Sequence, residues 1–242
     1  MREVKNMKLV EIIQDSVRYP FSDWKNLLIF VIFVVIASVR DIPVIEIQSN
    51  LALVTLISVV GYLFLLGYIL WNVRCSLTGN AEIPRVKDLV QIVTGGIKVF
   101  VVIIVYFIPV FLLLLLGSMY SASSIILISL LYPLIVAPIF AISIAHMANN
   151  DSEVSFAFKF FELLETIESI GWIKLVLWYI TTIIIFVILR MITFLVSGYI
   201  SYVVGIIIAV VLTSIFYIYL SRSLALLYRS GLNTINEESD KG

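Results

Sequence analysis

Residues Leu51–Trp71 read LALVTLISVVGYLFLLGYILW, an uninterrupted apolar run without a charged side chain. A helix needs about 20 such residues to cross a hydrocarbon core of ~30 Å. This stretch alone therefore makes lipid the solvent of the chain. Five further runs share its character: Leu27–Val39, Val99–Met119, Ile125–Ala145, Leu175–Leu189 and Ser201–Leu220. The whole chain agrees, with 62% hydrophobic and 13% charged residues and a mean hydropathy of +1.12, far from the values of a soluble domain of 242 residues. The expected fold is an all-α membrane protein with six transmembrane helices, at about 27–40, 51–71, 99–119, 125–146, 174–190 and 201–221.

Positive charge is sorted along the chain. Arg2, Lys5, Lys8, Arg18 and Lys25 precede the first span. Arg74, Arg85, Lys87 and Lys98 separate spans two and three, Lys159 and Lys174 separate four and five, and Arg222, Arg229 and Lys241 follow the sixth. Only Arg40 and Arg190 fall on the other side, and the Gly117–Ser124 turn carries no basic residue. The positive-inside rule then puts both termini in the cytoplasm. Residues 1–26 do not read as a cleaved signal, because the charged leader is long and no small-x-small site follows the first apolar run. That first span is short, about 22 Å from Lys25 to Arg40, and both cations would snorkel outward to complete it, with Trp24 as an interfacial anchor.

The cytoplasmic segments carry helical periodicity. Val4, Met7, Val10, Ile13 and Val17 recur at three- and four-residue steps, as do Val86, Leu89, Val90, Val93 and Ile97, and then Val154, Ala157, Phe161, Leu164 and Ile167. Each set predicts an amphipathic helix, within residues 1–26, 85–97 and 152–169 respectively. Such helices lie in the membrane interface with the apolar face down, or pack on one another as a small cytoplasmic cap. Glu153, Glu162, Glu165 and Glu168 make the third segment acidic, a solvated face or a docking surface for a partner. The plan is thus an N-terminal interfacial segment over 1–26, a membrane domain over 27–228 and a polar tail over 229–242.

Spacing suggests a threefold repeat of helix hairpins. Lys25, Lys98 and Lys174 precede the odd-numbered spans at intervals of 73 and 76 residues, and Arg74, His146 and Arg222 close the even-numbered spans 49, 48 and 48 residues after them. Two membrane crossings and a turn impose a similar spacing without any repeat, and both readings stand. These six basic positions are candidates for the cytoplasmic interface.

Helices in lipid associate through small residues that allow close approach. Ala137, Ala141 and Ala145 form such a face on span four. Ser197, Ser201, Gly205, Ala209 and Thr213 form a longer stripe read along span six. Pro109, Pro133 and Pro138 are expected to kink spans three and four.

The chemical inventory is sparse. No Asp, Glu, Lys or Arg falls in the middle of a span as drawn here, which counts against an ion-coupled transporter. Arg40–Asp41 and Arg190 read as membrane-edge anchors. His146 is the single histidine and no partner for it is suggested nearby, so neither a metal site nor a nucleophile triad follows. Cys75 is the single cysteine, which excludes an intramolecular disulfide. No Walker-type loop, GxGxxG, HExxH or GxSxG motif occurs. No enzymatic activity, cofactor, metal or nucleic-acid partner is expected.

The run Arg18-Tyr19-Pro20-Phe21-Ser22-Asp23-Trp24-Lys25, then Gly67-Tyr68, Arg74, Pro84, Asp88, Gly96-Ile97-Lys98-Val99-Phe100, Val105-Tyr106, Pro109 and Ala157-Phe158 resemble a family of archaeal membrane proteins designated domain of unknown function 4013. The similarity extends over most of residues 15–200. It implies an integral membrane protein in an archaeal plasma membrane and carries no activity with it. Two roles fit these features. One is a non-enzymatic multi-pass component that organises membrane lipid or a partner protein through its cytoplasmic face, alone or as a homo-oligomer. The alternative is a permease or transporter subunit for a small or amphiphilic solute, with Ser129, Ser143, Thr213 and Ser214 along the path. A solid apolar bundle favours the first and a polar cavity reaching the bilayer centre the second.

Overall fold

The computed structural model describes residues 7–41, 51–86, 88–119 and 123–239, and every regular element among them is helical. Arg2, Val4, Lys5, Lys87, Lys241 and the end of the expected tail lie outside the described residues. Helix α1 (Leu9–Arg18) begins where the Lys8 amide donates to the Glu11 carboxylate at 2.9 Å. Glu11 in its first turn and Arg18 in its last complement the helix dipole. Pro20 then forces a tight 3-10 turn over Tyr19–Phe21. Helix α2 (Trp24–Ala37) departs at 86° to the preceding segment. Asp23 caps it, accepting the amides of Lys25 at 2.9 Å and Asn26 at 3.3 Å.

Five long helices and one short one follow. They are α3 (Leu51–Leu77), α4 (Leu89–Met119), α5 (Ser123–Asn149), α6 (Phe160–Ile170), α7 (Trp172–Tyr199) and, last, the longest of all, α8 (Tyr202–Ser239). Five helices, α3, α4, α5, α7 and α8, are long and apolar enough to cross a membrane. A sixth crossing exists if α1 and α2 count as one bent span. The expected first span is therefore the weakest: α2 has 14 residues and covers about 21 Å.

Several boundaries differ from those read in the sequence. Residues 85–97 were expected to form a separate interfacial helix, but Leu89–Met119 is one continuous helix. Within this helix Gly96 serves close packing. A Cβ on Gly96 would overlap the Leu63 carbonyl, and one on Gly67 the Ile92 carbonyl, so α3 and α4 touch backbone to backbone. The segment 152–169 divides into a 3-10 turn over Val154–Phe158 and α6. The reversal before it places Asp151 and Ser152 at positive φ, 52° and 60°. Residues 191–198 continue α7, so Arg190 lies inside the helix rather than at its end. The expected polar tail from 229 is helical to Ser239, and Gly231 packs on Ile170 and Ser169. Prolines 109, 133 and 138 sit within α4 and α5, which run through them unbroken.

Two apolar cores hold the assembly. The larger joins Ile12, Val73, Val102, Ile142, Leu163 and Leu227 with their neighbours, so it draws on α1, α3, α4, α5, α6, α7 and α8. The smaller joins Tyr19, Phe30, Tyr68, Ile83, Ile92 and Ile218. The larger lies toward the end that carries Arg74, His146 and Arg222, termed here the charged end. Toward the other end α5 and α7 open outward, with Leu127, Leu130, Ile135, Val187, Ile188 and Leu195 exposed. The short helices pack as a cap against α8: Ile12 and Ser16 of α1, and Leu163, Thr166 and Ile167 of α6, are buried. The residues that defined their amphipathic period divide between two surroundings. Ala157 and Ile167 are buried, whereas Val10, Val17, Phe161 and Leu164 are exposed.

Candidate functional site: a polar junction at the charged end

Helix α8 is the spine of the charged end. Its residues Ser221, Arg222, Tyr228 and Ser230 are buried and reach groups on α1, the 3-10 turn after it, α3, the connection leaving α3, α5 and α7. Arg222 is the most fully engaged. Its Nε donates to Asp15 Oδ2 at 2.9 Å and its Nη1 to the Asn80 carbonyl at 2.7 Å. Its Cζ lies 4.7 Å from the centroid of the Tyr19 ring. One guanidinium thus ties α1, the 3-10 turn after it and the connection leaving α3. Beside it, Tyr19 donates its hydroxyl to Asn72 Oδ1 at 2.9 Å, and Asn72 Nδ2 donates to Ser221 Oγ at 2.6 Å. A polar side chain in an apolar helix acts as interhelical glue in this way.

His146 has the partners that its surroundings in the sequence did not suggest. Its Nδ1 lies 2.7 Å from the Tyr228 hydroxyl and its Nε2 3.1 Å from Glu162 Oε2. With Glu162 ionised, Nε2–H donates to the carboxylate and the Tyr228 hydroxyl donates to Nδ1. Lys159 joins at 3.0 Å from the other Glu162 oxygen. Lys159 first, and His146 after it, hold the Glu162 carboxyl below its ordinary range. The cluster clasps α6 to α5 and α8. Tyr228 is fully buried, and the hydrogen-bonded chain runs from it through His146 to the half-exposed Glu162 and Lys159. Among the described residues no group of three or more His, Cys, Asp or Glu side chains could hold a metal ion.

The remaining basic positions are placed as follows. Arg74 pairs with Asp151 at 2.5 Å on the surface, a geometry worth under about 1 kcal/mol. Lys174 Nζ donates to the Met7 carbonyl at 3.1 Å and to Ser230 Oγ at 2.9 Å. Lys98 lines a cleft of about 70 Å³ between α3 and α4 with Gln91, Thr94, Arg74 and Asp151. Lys25 is exposed beside the Trp24 ring. Arg74, His146 and Arg222, the three residues that close the even-numbered spans, thus each meet a carboxylate of a different short segment: Asp151, Glu162 and Asp15.

The small-residue candidates separate. Ala145 is fully buried and Ala137 and Ala141 half-buried on α5. The stripe read along span six is not on one helix: Ser197 belongs to α7, Ser201 to the turn, and Gly205 and Ala209 to α8. The chain reverses at Ile200–Ser201, which brings Ser197 against Gly205, where an added Cβ would overlap it. Sequence reasoning passed over Asn72 and Tyr228, and it named Gly67 and Gly96 only for the family they suggest. A lone Asn in an apolar run and glycines within long spans were the available signals.

A helical bundle with five to six helices able to cross a membrane, capped at one end by short helices and a buried polar junction, fits a membrane protein. The family described as Protein of unknown function (DUF4013) matches over residues 50–198, and the chain belongs to it. No curated protein and no solved structure matches the chain.

Proposed function

We propose that the chain is a non-enzymatic, multi-pass component of the plasma membrane that organises lipid at its charged end, with that end and both termini cytoplasmic. The observation that supports this reading is the outer surface of the cap. Beyond the faces buried on α8, the charged end exposes Val10, Phe21, Trp24, Val90, Phe161 and Ile173, with Phe161 90% and Ile173 78% accessible. A belt of aromatic and aliphatic side chains at the ends of apolar helices requires an apolar phase around it. A lipid interface provides one, and the cap helices lie in it with one face on the bundle and the other on lipid. The concentration of Lys and Arg at this end, against Arg40 and Arg190 at the other, supports this orientation. The transport alternative draws less support, because Ser129, Ser143 and Ser214 each donate to a carbonyl of their own helix. Native mass spectrometry of the protein gently extracted from its own membrane tests the reading. Retained lipid that is lost on Phe161→Ser and Val90→Ser substitution is the expected result. A stoichiometric partner protein without lipid, or a bound small solute, overturns it.

A further inference from the structure

Arg190 was read as marking the end of a span, and the fold moves it into one. Helix α7 continues nine residues past it to Tyr199, which is about 13 Å of helix. Tyr199 and Tyr202 stand at the turn between α7 and α8, both exposed, in the position of an interfacial aromatic belt. Allowing a few ångströms for the interface, the Arg190 Cα lies within the hydrocarbon, one or two helical turns below its edge. A cation at that depth is costly unless it is paired or reaches the headgroup layer.

Nothing described in the protein pairs it. The ion pairs formed by described residues all lie at the charged end, and none includes Arg190. Its guanidinium carbon sits 5.4 Å from the Phe186 ring centroid, a contact that favours the cation without neutralising it. Around it, α7 and α8 form a cleft of about 90 Å³ lined by Phe186, Leu189, Thr193, Thr213, Phe216 and Tyr217. The Thr193 hydroxyl already donates to the Leu189 carbonyl, which leaves its oxygen as an acceptor. The cleft thus combines apolar side chains, hydroxyls and one positive charge that no described residue neutralises and that faces lipid, because Arg190 is itself exposed on the protein surface.

We propose that this cleft is a binding site for an anionic lipid of the leaflet opposite the charged end, with the lipid phosphate on Arg190 and the acyl chain along the exposed apolar face of α7. Charge complementarity selects an anion, and depth selects its source. A phosphate at the hydrocarbon edge is within reach of a snorkelling arginine, whereas a free phosphate ion would have to leave water. The planar guanidinium offers two parallel donors to a phosphate. This site is separate from the lipid contacts proposed at the charged end and does not depend on them.

The test is native mass spectrometry of the full chain released from mixed micelles of phosphatidylglycerol and phosphatidylcholine. Wild type is expected to retain a phosphatidylglycerol molecule that Arg190→Gln binds about tenfold more weakly or worse. Lys98→Gln at the other end leaves that molecule in place. Arg190→Lys, which keeps the charge and guards against a folding defect in the glutamine variant, retains an intermediate preference. Inorganic phosphate added in excess does not displace the lipid. Equal phosphatidylglycerol retention by wild type and Arg190→Gln, displacement by inorganic phosphate, or an Arg190-dependent dimer without bound lipid overturns the proposal.

Discussion

Replacing Arg222 by methionine removes the cation that joins three segments while keeping most of the apolar stem. The Asn80 carbonyl loses a charged donor held at 2.7 Å, a loss of about 1–3 kcal/mol. The stacking contact with Tyr19 at 4.7 Å adds ~0.5–2 kcal/mol. Asp15 contributes little to the cost, because its side chain is 44% exposed and can return to water, as in exposed pairs worth under about 1 kcal/mol. These contributions overlap, so the expected net loss is about 2–3 kcal/mol, or a fall in Tm of roughly 5–10 °C for a chain of this size. The assay is thermal unfolding of the purified protein in detergent, followed by circular dichroism, together with amide hydrogen exchange along α1. Exchange in α1 should rise selectively, because Asp15 and Tyr19 are the points at which Arg222 holds that segment. Asp15→Asn should cost less than half as much. Equal losses for the two variants, or an Arg222→Met protein whose α1 exchanges at the wild-type rate, would refute the idea that the guanidinium organises the junction.

Further outcomes follow from the same geometry. Gly96→Leu and Gly67→Leu should each separate α3 from α4 and lower stability by about 2 kcal/mol or more, whereas Gly95→Ala, whose added Cβ meets nothing nearer than 3.5 Å, should leave the melting temperature unchanged. Glu162 is held below its ordinary carboxyl value of 4.5 by Lys159 and His146, so its contribution is present above that value and disappears as pH falls through the lowered one. The Tm advantage of wild type over Glu162→Gln should therefore shrink between about pH 6 and about pH 3, and an advantage that is constant or grows on acidification contradicts the pairing. Tyr106→Phe removes a hydroxyl that donates to the Ala157 carbonyl at 2.9 Å, and a loss of about 1 kcal/mol is expected. Proteolysis within the 3-10 turn that carries Ala157 reports it, since an unaltered cleavage rate would mean the bond does not hold that turn.

The crossings were legible because hydropathy records where lipid begins, and five of the six expected runs lie within helices that can span a membrane. Hydropathy does not record where backbone hydrogen bonding stops. Lys98 and Arg190 both read as span ends because each is the charge that borders an apolar run, Lys98 before 99–119 and Arg190 after 175–189. In both places the helix continues, since a long cationic side chain can leave the hydrocarbon without breaking the backbone ladder. The period of residues 86–97 was similarly silent: a helix lying in the interface and the inner turns of a spanning helix place apolar residues at the same steps. The proline positions were legible and their effect on continuity was not, because neighbouring helices and local carbonyls can satisfy what a proline leaves open. For the polar junction the obstacle was separation along the chain. Arg222 and Asp15 are 207 residues apart, and His146 and Tyr228 are 82 apart, and no local pattern links residues so distant.

The two ends of the bundle therefore use charge in opposite ways. At the charged end, Asp15, Asp151 and Glu162 meet Arg222, Arg74 and the His146–Lys159 pair, so the cations on which the expected orientation rests also serve as internal fasteners. Lysine and arginine govern insertion even where acidic residues lie beside them, so a formal net charge of zero is compatible with the expected sidedness. Besides its exposed charges, the charged end presents the apolar belt of Phe21, Trp24, Val90 and Phe161 to its surroundings. At the other end the balance is reversed. The surface is apolar, and among the described residues no ion pair includes Arg190. A burial cost that folding does not recover points to a use outside the fold, and for a cation facing the hydrocarbon edge the nearest abundant counter-charge is a lipid phosphate.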